Sequence, residues 1–468
     1  MSATTSSPSH RIAILGGGIT GLTAAWRLKQ AGLEPIVFEK SARVGGAIAS
    51  WRGDGWLHEL GPNSLLETSS QVTGLIDEIG LGARRLYASP LAKQRYIVRD
   101  GALVAMPASP LKFATTKLFS PKAKLNLLGE PWRAPAAPDA EESVADFVVR
   151  RLGREFLDYA IDPFVGGVYA GDPTRLSVRH AFPKLHALEQ EHGSLIRGAL
   201  RRRNTSGGPK GRIFSFPGGL AELPERLARL LGGAVRPCAT VMAVRHTGDA
   251  WEIAGESGGH SWIEPCAAVI SALPARALAS LAIAGVPEAG RFFLLKEIEH
   301  PPVVSVFTGF RRKDVPHPLD GFGMLMPRVE QGRILGTLFS STLFPNRAPE
   351  GHVALTTFVG GTRQPELAER DDNETLRLVR AELARLLGIT ATPAFVRVKH
   401  WAQAIPQYEL GYGAYQEAAK VVEMSTRGFF AGGNWRDGIS LSNCIAAGER
   451  LAAAVVAERT KKKEPAAC

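Results

Sequence analysis

Cysteine is scarce in this chain: four occur among 468 residues, at positions 238, 266, 444 and 468, and none forms a Cys-x-x-Cys pair. Thiols scattered in this way exclude a disulfide framework, argue against zinc or iron–sulfur ligation, and fit a reducing compartment. No apolar run approaches the roughly 18 residues that a membrane-spanning helix needs. The first ten residues are rich in Ser and Thr without an apolar h-region, so they read as a loose tail and not as a signal peptide. There is no internal repeat and no Ser/His/Asp set poised for nucleophilic chemistry. His180, His186 and His192 recur at a spacing that does not share one helix face, so no metal site is expected. The formal charge is +11, yet no zinc-finger spacing or stacking-aromatic motif accompanies it. That places an anionic membrane or an acidic ligand ahead of nucleic acid, and no nucleic-acid partner is expected. Hydrophobic content of 45 % and charged content of 22 % are ordinary for a globular enzyme, and the length suggests about two or three lobes.

What is present concentrates at the front. Residues 11–15 read as a short buried strand running into Gly16, Gly17, Gly18, Ile19, Thr20 and Gly21, after which 22–30 carries helical periodicity. Gly16 permits the tight turn, Gly18 lets the backbone approach a pyrophosphate, and Gly21 lets the helix pack closely on the strand. The helix N-terminus offers free N–H groups and a positive dipole end to phosphates. A second strand, 35–40, ends in Glu39 and Lys40. Glu39 lies about 20 residues beyond the glycines, where an acid accepts ribose hydroxyls. Arg43, Gly45 and Gly46 then let the chain pass the dinucleotide again, with Arg43 in reach of its phosphates. This addition moves the expected cofactor from a nicotinamide to FAD.

Further along, a helix closes over 77–82 and a hairpin runs through 95–107. Residues 110–128 alternate apolar clusters (Leu111, Phe113, Leu118, Phe119) with Lys112, Lys117, Lys122 and Lys124. Such pieces either lie in a membrane interface or pack on a core with the lysines outward. Residues 131–140 read as a Pro/Ala-rich linker, 142–152 as a helix and 201–211 as a loop. A helix is expected over 220–231, strands over 236–253 and 268–272, an antiparallel sheet lining a pocket over 302–361, and a helix over 373–387. A strand at 428–433 followed by a helix opening at 439–445 makes a second strand–turn–helix. Its N-terminus faces the same cofactor if the two ends of the chain build one domain. Asp172 precedes Pro173 and reads as a turn-fixing residue, and the lysines at 461–463 as part of a solvated tail.

Together these pieces resemble the flavin-dependent amine oxidase superfamily and, within it, the protoporphyrinogen oxidase family. The resemblance spans nearly the whole chain. It rests on Gly-Pro-Asn-Ser at 61–64, Gln-Arg-Tyr-Ile at 94–97 and, above all, Gly-Val-Tyr-Ala-Gly-Asp-Pro at 167–173. Gly-Phe-Gly-Met-Leu at 321–325, Ile-Pro-Gln-Tyr at 405–408 and Asn-Cys-Ile at 443–445 complete it.

The resemblance implies an α/β fold: a Rossmann-like FAD-binding domain (8–90, 211–285 and 395–458), an inserted mixed-sheet substrate domain (91–108 and 286–394), a helical membrane-associating lobe (109–210) and a basic tail (459–468). It implies that Gly16 to Gly21, Glu39, Lys40, Arg43, Gly46 and Ala47 hold the ADP half of FAD. Gly61, Pro62, Asn63 and Ser64 would pass beneath the ring system, and Val241 would meet the adenine through its backbone. Trp401, Gly433, Ile439, Ser440 and Leu441 would close on the isoalloxazine. Arg95 would anchor a substrate propionate, Phe322, Leu325 and Phe358 would sandwich a tetrapyrrole, and the carbonyl of Gly167 would orient it. Gly166, just before, is larger or charged in some relatives, so the pocket rim differs.

The implied reaction is oxidation of protoporphyrinogen IX to protoporphyrin IX in haem biosynthesis. It takes three two-electron rounds with O2 as acceptor and peroxide as product. The implied setting is cytoplasmic, on the inner face of the membrane if the helical lobe attaches there; a homodimer is compatible with it. A coproporphyrinogen III oxidase of the same fold is the nearest alternative. An amine oxidase or carotenoid desaturase would lack the 167–173 run, and a flavin-free tetrapyrrole carrier would be expected to lose the glycines or Glu39.

Overall fold

The computed structural model describes residues 10–67, 69–137, 140–205 and 211–463. Five parallel strands form one sheet, in the order Val235–Arg236, Glu34–Phe38, Arg11–Leu15, Ala268–Ser271 and Phe429–Ala431. The strands Arg11–Leu15 and Ala268–Ser271 are almost wholly buried, as their uninterrupted apolar sequences require of strands covered on both faces. Helices Ile19–Gln30 and Leu441–Lys463 pack against one another beside this sheet and share one core. Gly448 permits the approach, because a Cβ there would lie 2.7 Å from Thr23 Cβ. Arg27 Nη2 meets Glu449 Oε1 at 2.8 Å. The two ends of the chain therefore build a single α/β layer, with both helix N-termini at the C-terminal edge of the sheet, where ligands of such sheets bind.

A four-stranded sheet follows, ordered His260–Cys266, Trp251–Ser257, Thr240–His246 and Ala282–Ala284. It joins the first layer through Phe38, which stacks on Trp262 with ring centroids 4.7 Å apart.

The largest sheet has seven strands: Phe395–Trp401, Val303–Arg311, His352–Gly360, Gly336–Leu338, Gly321–Leu325, Gln94–Arg99 and Ala102–Ala105. Its pairs are antiparallel except Gly321–Leu325 with Gln94–Arg99, which is parallel. Helix Asp372–Leu387 covers one face, burying Leu378, Leu383 and Leu387 against Val304 and Val306. Phe395–Trp401, which the sequence reading grouped with the FAD-binding segments, is an edge strand of this sheet.

Between 110 and 205 the chain is helical. The amphipathic stretch is two short helices, Pro110–Thr115 and Pro121–Leu128, each with Pro in its first turn and a serine cap: Ser109 accepts from Lys112 N and Ser120 from Ala123 N. The linker reading of 131–140 is corrected at its start. Arg133 donates to Arg150 O at 2.8 Å and Arg151 to Arg133 O at 2.8 Å, which pins the segment to helix Val144–Arg151. The loop reading of 201–211 is also corrected. Helix Leu195–Thr205 continues through its first five residues, and 206–210 lie outside the described residues. The backbone of the tail is helical to Lys463, where helix Leu441–Lys463 ends. The three histidines do not share a helix, because the chain breaks at Phe182 between Val178–Ala181 and Pro183–His192. Among the described residues no group of His, Cys, Asp and Glu could hold a metal, and no helix is long and apolar enough to cross a membrane.

Candidate active site

The first glycine turn and the Arg-x-Gly-Gly segment lie edge to edge. Gly45 N donates to Gly17 O at 2.8 Å, and Gly18 and Gly45 form a parallel bridge. Gly16 has φ +102°, a conformation that favours glycine, and a Cβ on Gly21 would overlap the Gly16 carbonyl oxygen. Gly18 and Gly433 behave differently. A Cβ at either would meet nothing within 4 Å, and at Gly46 only Gly18 Cα, at 3.6 Å. These three open positions, beside the N-termini of the two helices, form a cradle that accommodates a dinucleotide pyrophosphate.

Glu39 is buried at the strand end, its Oε2 accepting from Gly17 N and its Oε1 from Ser41 N, both at 2.8 Å. Lys40, Arg43 and Ala47 are exposed on the rim. The Arg43 guanidinium donates to the carbonyls of Val44, Gly46 and Ile48 at 3.2, 2.8 and 3.0 Å. These bonds hold the shape of its own loop.

The 61–64 segment is fastened from both sides. A Cβ on Gly61 would overlap Ala47 O, and Asn63 Nδ2 donates to Gly61 O at 3.0 Å. Trp401 Nε1 donates to Leu60 O at 2.8 Å, tying this segment, which includes Pro62 and Ser64, to the edge of the seven-stranded sheet. A β-bulge follows Val241, breaking the ladder where its backbone was expected to meet an adenine. Ser440 caps the last helix, accepting from Asn443 N at 3.1 Å while its hydroxyl contacts Asn443 Oδ1 at 2.7 Å. Gly433 N donates to Asp437 Oδ2 at 2.9 Å. Ile439 and Leu441 are half-buried beside this turn. Burial pushes the Cys444 thiol, in the first turn of that helix, up to about 12, so it stays protonated.

The residues expected to contact substrate share one face of the seven-stranded sheet. Register places Phe358 opposite Gly336, Gly336 opposite Leu325, and Leu325 beside Ile97, two residues from Arg95. Directly opposed residues point to the same side, so Leu325 and Phe358 flank the bare backbone of Gly336. A Cβ at Gly336 would lie 3.0 Å from Leu325 Cδ2. A bulge between Gly321 and Gly323 re-aims Phe322, whose ring lies under the Arg95 guanidinium, 5.4 Å from Cζ to centroid. Arg95 is exposed; Asp100 lies instead near Arg99, 3.7 Å from its Nε. Helix Asp162–Tyr169 packs against this face, and a Cβ on Gly167 would lie 2.6 Å from Leu325 Cδ2.

Asp172 does fix a turn: its Oδ1 accepts from Thr174 N at 2.9 Å and Oγ1 at 2.7 Å. Burial alone would raise its pKa, but the Thr174 hydrogen bonds and Arg328 outweigh that and lower it. Sequence reasoning missed the buried Asp162–Arg363 pair, whose charged groups meet at 2.9 Å. Asp162 was legible only as a residue before proline, and Arg363 carries no local signal. Burial raises the carboxyl pKa of Asp162 against the opposing pull of Arg363, and burial likewise lowers that of Arg363.

The sequence profile described as "Flavin containing amine oxidoreductase" matches residues 19–456. The chain is 35 % identical to protoporphyrinogen oxidase 2, chloroplastic/mitochondrial, of Arabidopsis thaliana, over 95 % of this chain and 94 % of that protein. It is 30 % identical to coproporphyrinogen III oxidase of Staphylococcus aureus, over 96 % and 99 %. In fold it matches a crystal structure from Exiguobacterium sp. 255-15 with a TM-score of 0.81 at 24 % identity, covering 96 % of this chain and 99 % of that one. Cyclohexylamine oxidase from Brevibacterium oxydans matches with a TM-score of 0.71 at 17 % identity, over 97 % and 100 %. The chain belongs to the flavin-containing amine oxidoreductase family.

Proposed function

We propose that the protein oxidises protoporphyrinogen IX to protoporphyrin IX in three two-electron steps, with O2 as acceptor and H2O2 as product. One observation carries this reading: Arg95, Phe322, Leu325, Phe358 and Gly167 converge on one face of a sheet whose edge strand is tied through Trp401 to the cofactor cradle. FAD, when bound, supplies the two-electron acceptor. The chain's residues supply position and exclusion of water. Arg95 holds a propionate carboxylate, its charge exposed above the Phe322 ring. Leu325 and Phe358, on either side of Gly336, supply apolar contact to the macrocycle. Gly167 belongs to the last four residues of its helix, whose carbonyls have no partner further along it, so its carbonyl is available to a pyrrole N–H. A meso CH2 between pyrroles loses hydride readily because the cation spreads onto the nitrogens, and that cation then releases one proton to solvent, so each two-electron round removes two hydrogens.

The three lobes read from the sequence, with the boundary moved to after Trp401, are part of this proposal. So is a cytoplasmic protein attached peripherally to the inner face of the membrane. Leu111, Leu125, Leu128 and Trp132 are exposed on the short helices and the turn after them, interleaved with lysines, which supports attachment.

The test is anaerobic titration of the flavin-loaded protein with protoporphyrinogen IX and, separately, with coproporphyrinogen III. Bleaching of the flavin band with porphyrin fluorescence in the first titration upholds the proposal. Preference for the second substrate replaces it with the coproporphyrin-forming reaction, and no bleaching by either removes it.

A further inference from the structure

A buried ion pair, Arg363 with Asp162, joins the helix of Gly167 to the strand of Leu325. Arg363, almost wholly buried, sits directly behind Gly166: a Cβ on that glycine would lie 2.7 Å from Arg363 Nη2. Its Nη2 donates to Asp162 O at 2.6 Å and meets Asp162 Oδ2 at 2.9 Å, while its Nη1 donates to Met326 O at 2.7 Å. Asp162 opens the helix that carries Gly167, and Met326 directly follows Leu325. One planar guanidinium thus grips both walls where Gly167 and Leu325 face each other.

The grip is reinforced on both sides. Asp162 Oδ2 also accepts from Arg328 N at 2.8 Å, in the loop after the Leu325 strand. Thr362 N, adjacent to Arg363, donates to Ala170 O at 2.8 Å at the other end of the helix. The helix is held at its first turn and at its C-cap by consecutive residues that follow strand His352–Gly360, which carries Phe358. The absence of a side chain at Gly166 leaves room for this fork.

We infer that Arg363 is a positioning residue, whose two-pronged clasp on Asp162 and the Met326 carbonyl fixes the spacing between Gly167 and Leu325 and so the placement of a flat macrocycle. The inference rests on the proposed porphyrinogen reaction for its kinetic consequence. Its geometric part does not. A lysine keeps the charge opposite Asp162 but cannot present two fixed N–H groups to two walls at once.

The test compares wild type, Arg363→Lys and the double variant Arg363→Met/Asp162→Leu, all loaded with flavin. The double variant removes both charges, so no unpaired buried ion is left. Hydrogen exchange of residues 163–170 reads the clasp, and anaerobic flavin reduction by protoporphyrinogen IX reads substrate placement. Expected in Arg363→Lys are faster exchange in that segment, an unchanged flavin spectrum, and a fall of about 10- to 100-fold in the reduction rate with KM little moved. Unchanged exchange overturns the inference, as does faster exchange with an unchanged rate. If Arg363→Lys does not fold, the double variant is read by the same criteria. If wild type reduces with no porphyrinogen, the proposed function falls, and the exchange result alone upholds or overturns the clasp.

Discussion

Gly167 and Leu325 approach so closely that a Cβ on the glycine would stand 2.6 Å from Leu325 Cδ2. The helix and strand that carry them come from distant parts of the sequence and meet here in direct contact. Gly167→Ala is therefore expected to retain FAD and fold, because the cofactor cradle is elsewhere, while Leu325 is displaced. Flavin absorbance should be unchanged and porphyrinogen turnover should fall by about 10- to 100-fold. Steady-state kinetics with full flavin occupancy checks this.

Arg95 stands over Phe322 with no carboxylate partner among the described residues, its Cζ 5.4 Å from the ring centroid. Arg95→Ala is expected to raise KM for a dicarboxylate porphyrinogen by about tenfold or more, with Arg95→Lys intermediate, since a lysine keeps the charge and loses the planar fork. A substrate analogue with esterified propionates should show no difference between the variants. Equal loss with the ester would sink the anchoring role.

Gly18 and Gly21 separate cofactor contact from fold. A Cβ on Gly18 meets nothing within 4 Å, whereas one on Gly21 overlaps a backbone carbonyl of the preceding turn. Gly18→Ala should melt near wild type without FAD and bind FAD more weakly. Gly21→Ala should lose about 1–3 kcal/mol even without cofactor, from overpacking between helix and strand. Urea melts of both variants, with and without FAD, distinguish the two.

His58 is fully buried, stacked on Phe307 with ring centroids 4.8 Å apart, and its Nε2 lies 3.4 Å from Ser305 Oγ. Burial, aided by Arg397, depresses its pKa from 6.5 to about 3. The unfolded chain therefore takes up a proton near pH 6.5 that the native state refuses. Stability is unaffected above that pH and declines as pH falls toward 3, by up to about 1.4 kcal/mol per pH unit from this group. His58→Gln should flatten that part of the slope in urea melts at pH 7, 6 and 5; an unchanged slope would count against a neutral buried imidazole.

Leu111, Leu125, Leu128 and Trp132 are 77, 68, 66 and 79 % exposed, too much apolar surface in one region to be packed in the monomer. Co-sedimentation with anionic phosphatidylglycerol vesicles is expected. Trp132→Ala should weaken it by about tenfold, the effect of one large apolar side chain worth roughly 1.5 kcal/mol or more on leaving water. Equal sedimentation of the variant would leave only the lysines, and binding would then vanish at high salt.

Much of the cradle was legible because it is built from local rules. A tight turn, a close helix–strand contact and an acid at a strand end each demand particular residues at fixed spacing, so Gly16, Gly18, Gly21 and Glu39 could be placed before any fold was known. Sequence locates the Arg43 guanidinium but does not say which acceptors lie nearest. In the fold these are the carbonyls of Val44, Gly46 and Ile48. The stretch at 201–205 was read as a loop from its polar residues, but it continues the turns of helix Leu195–Thr205.

The sequence by itself determined the strand–turn–helix units, the glycines that admit a dinucleotide, and the apolar residues available for a slot, since each follows from local sterics or from side-chain type. Only the tertiary structure decided that Phe358, Gly336 and Leu325 stand in one row and that Phe322 turns under Arg95. It alone brought Arg363 to Asp162, 201 residues earlier, behind Gly166. Strand register and the meeting of distant buried charges depend on how whole layers pack, and no local pattern encodes that.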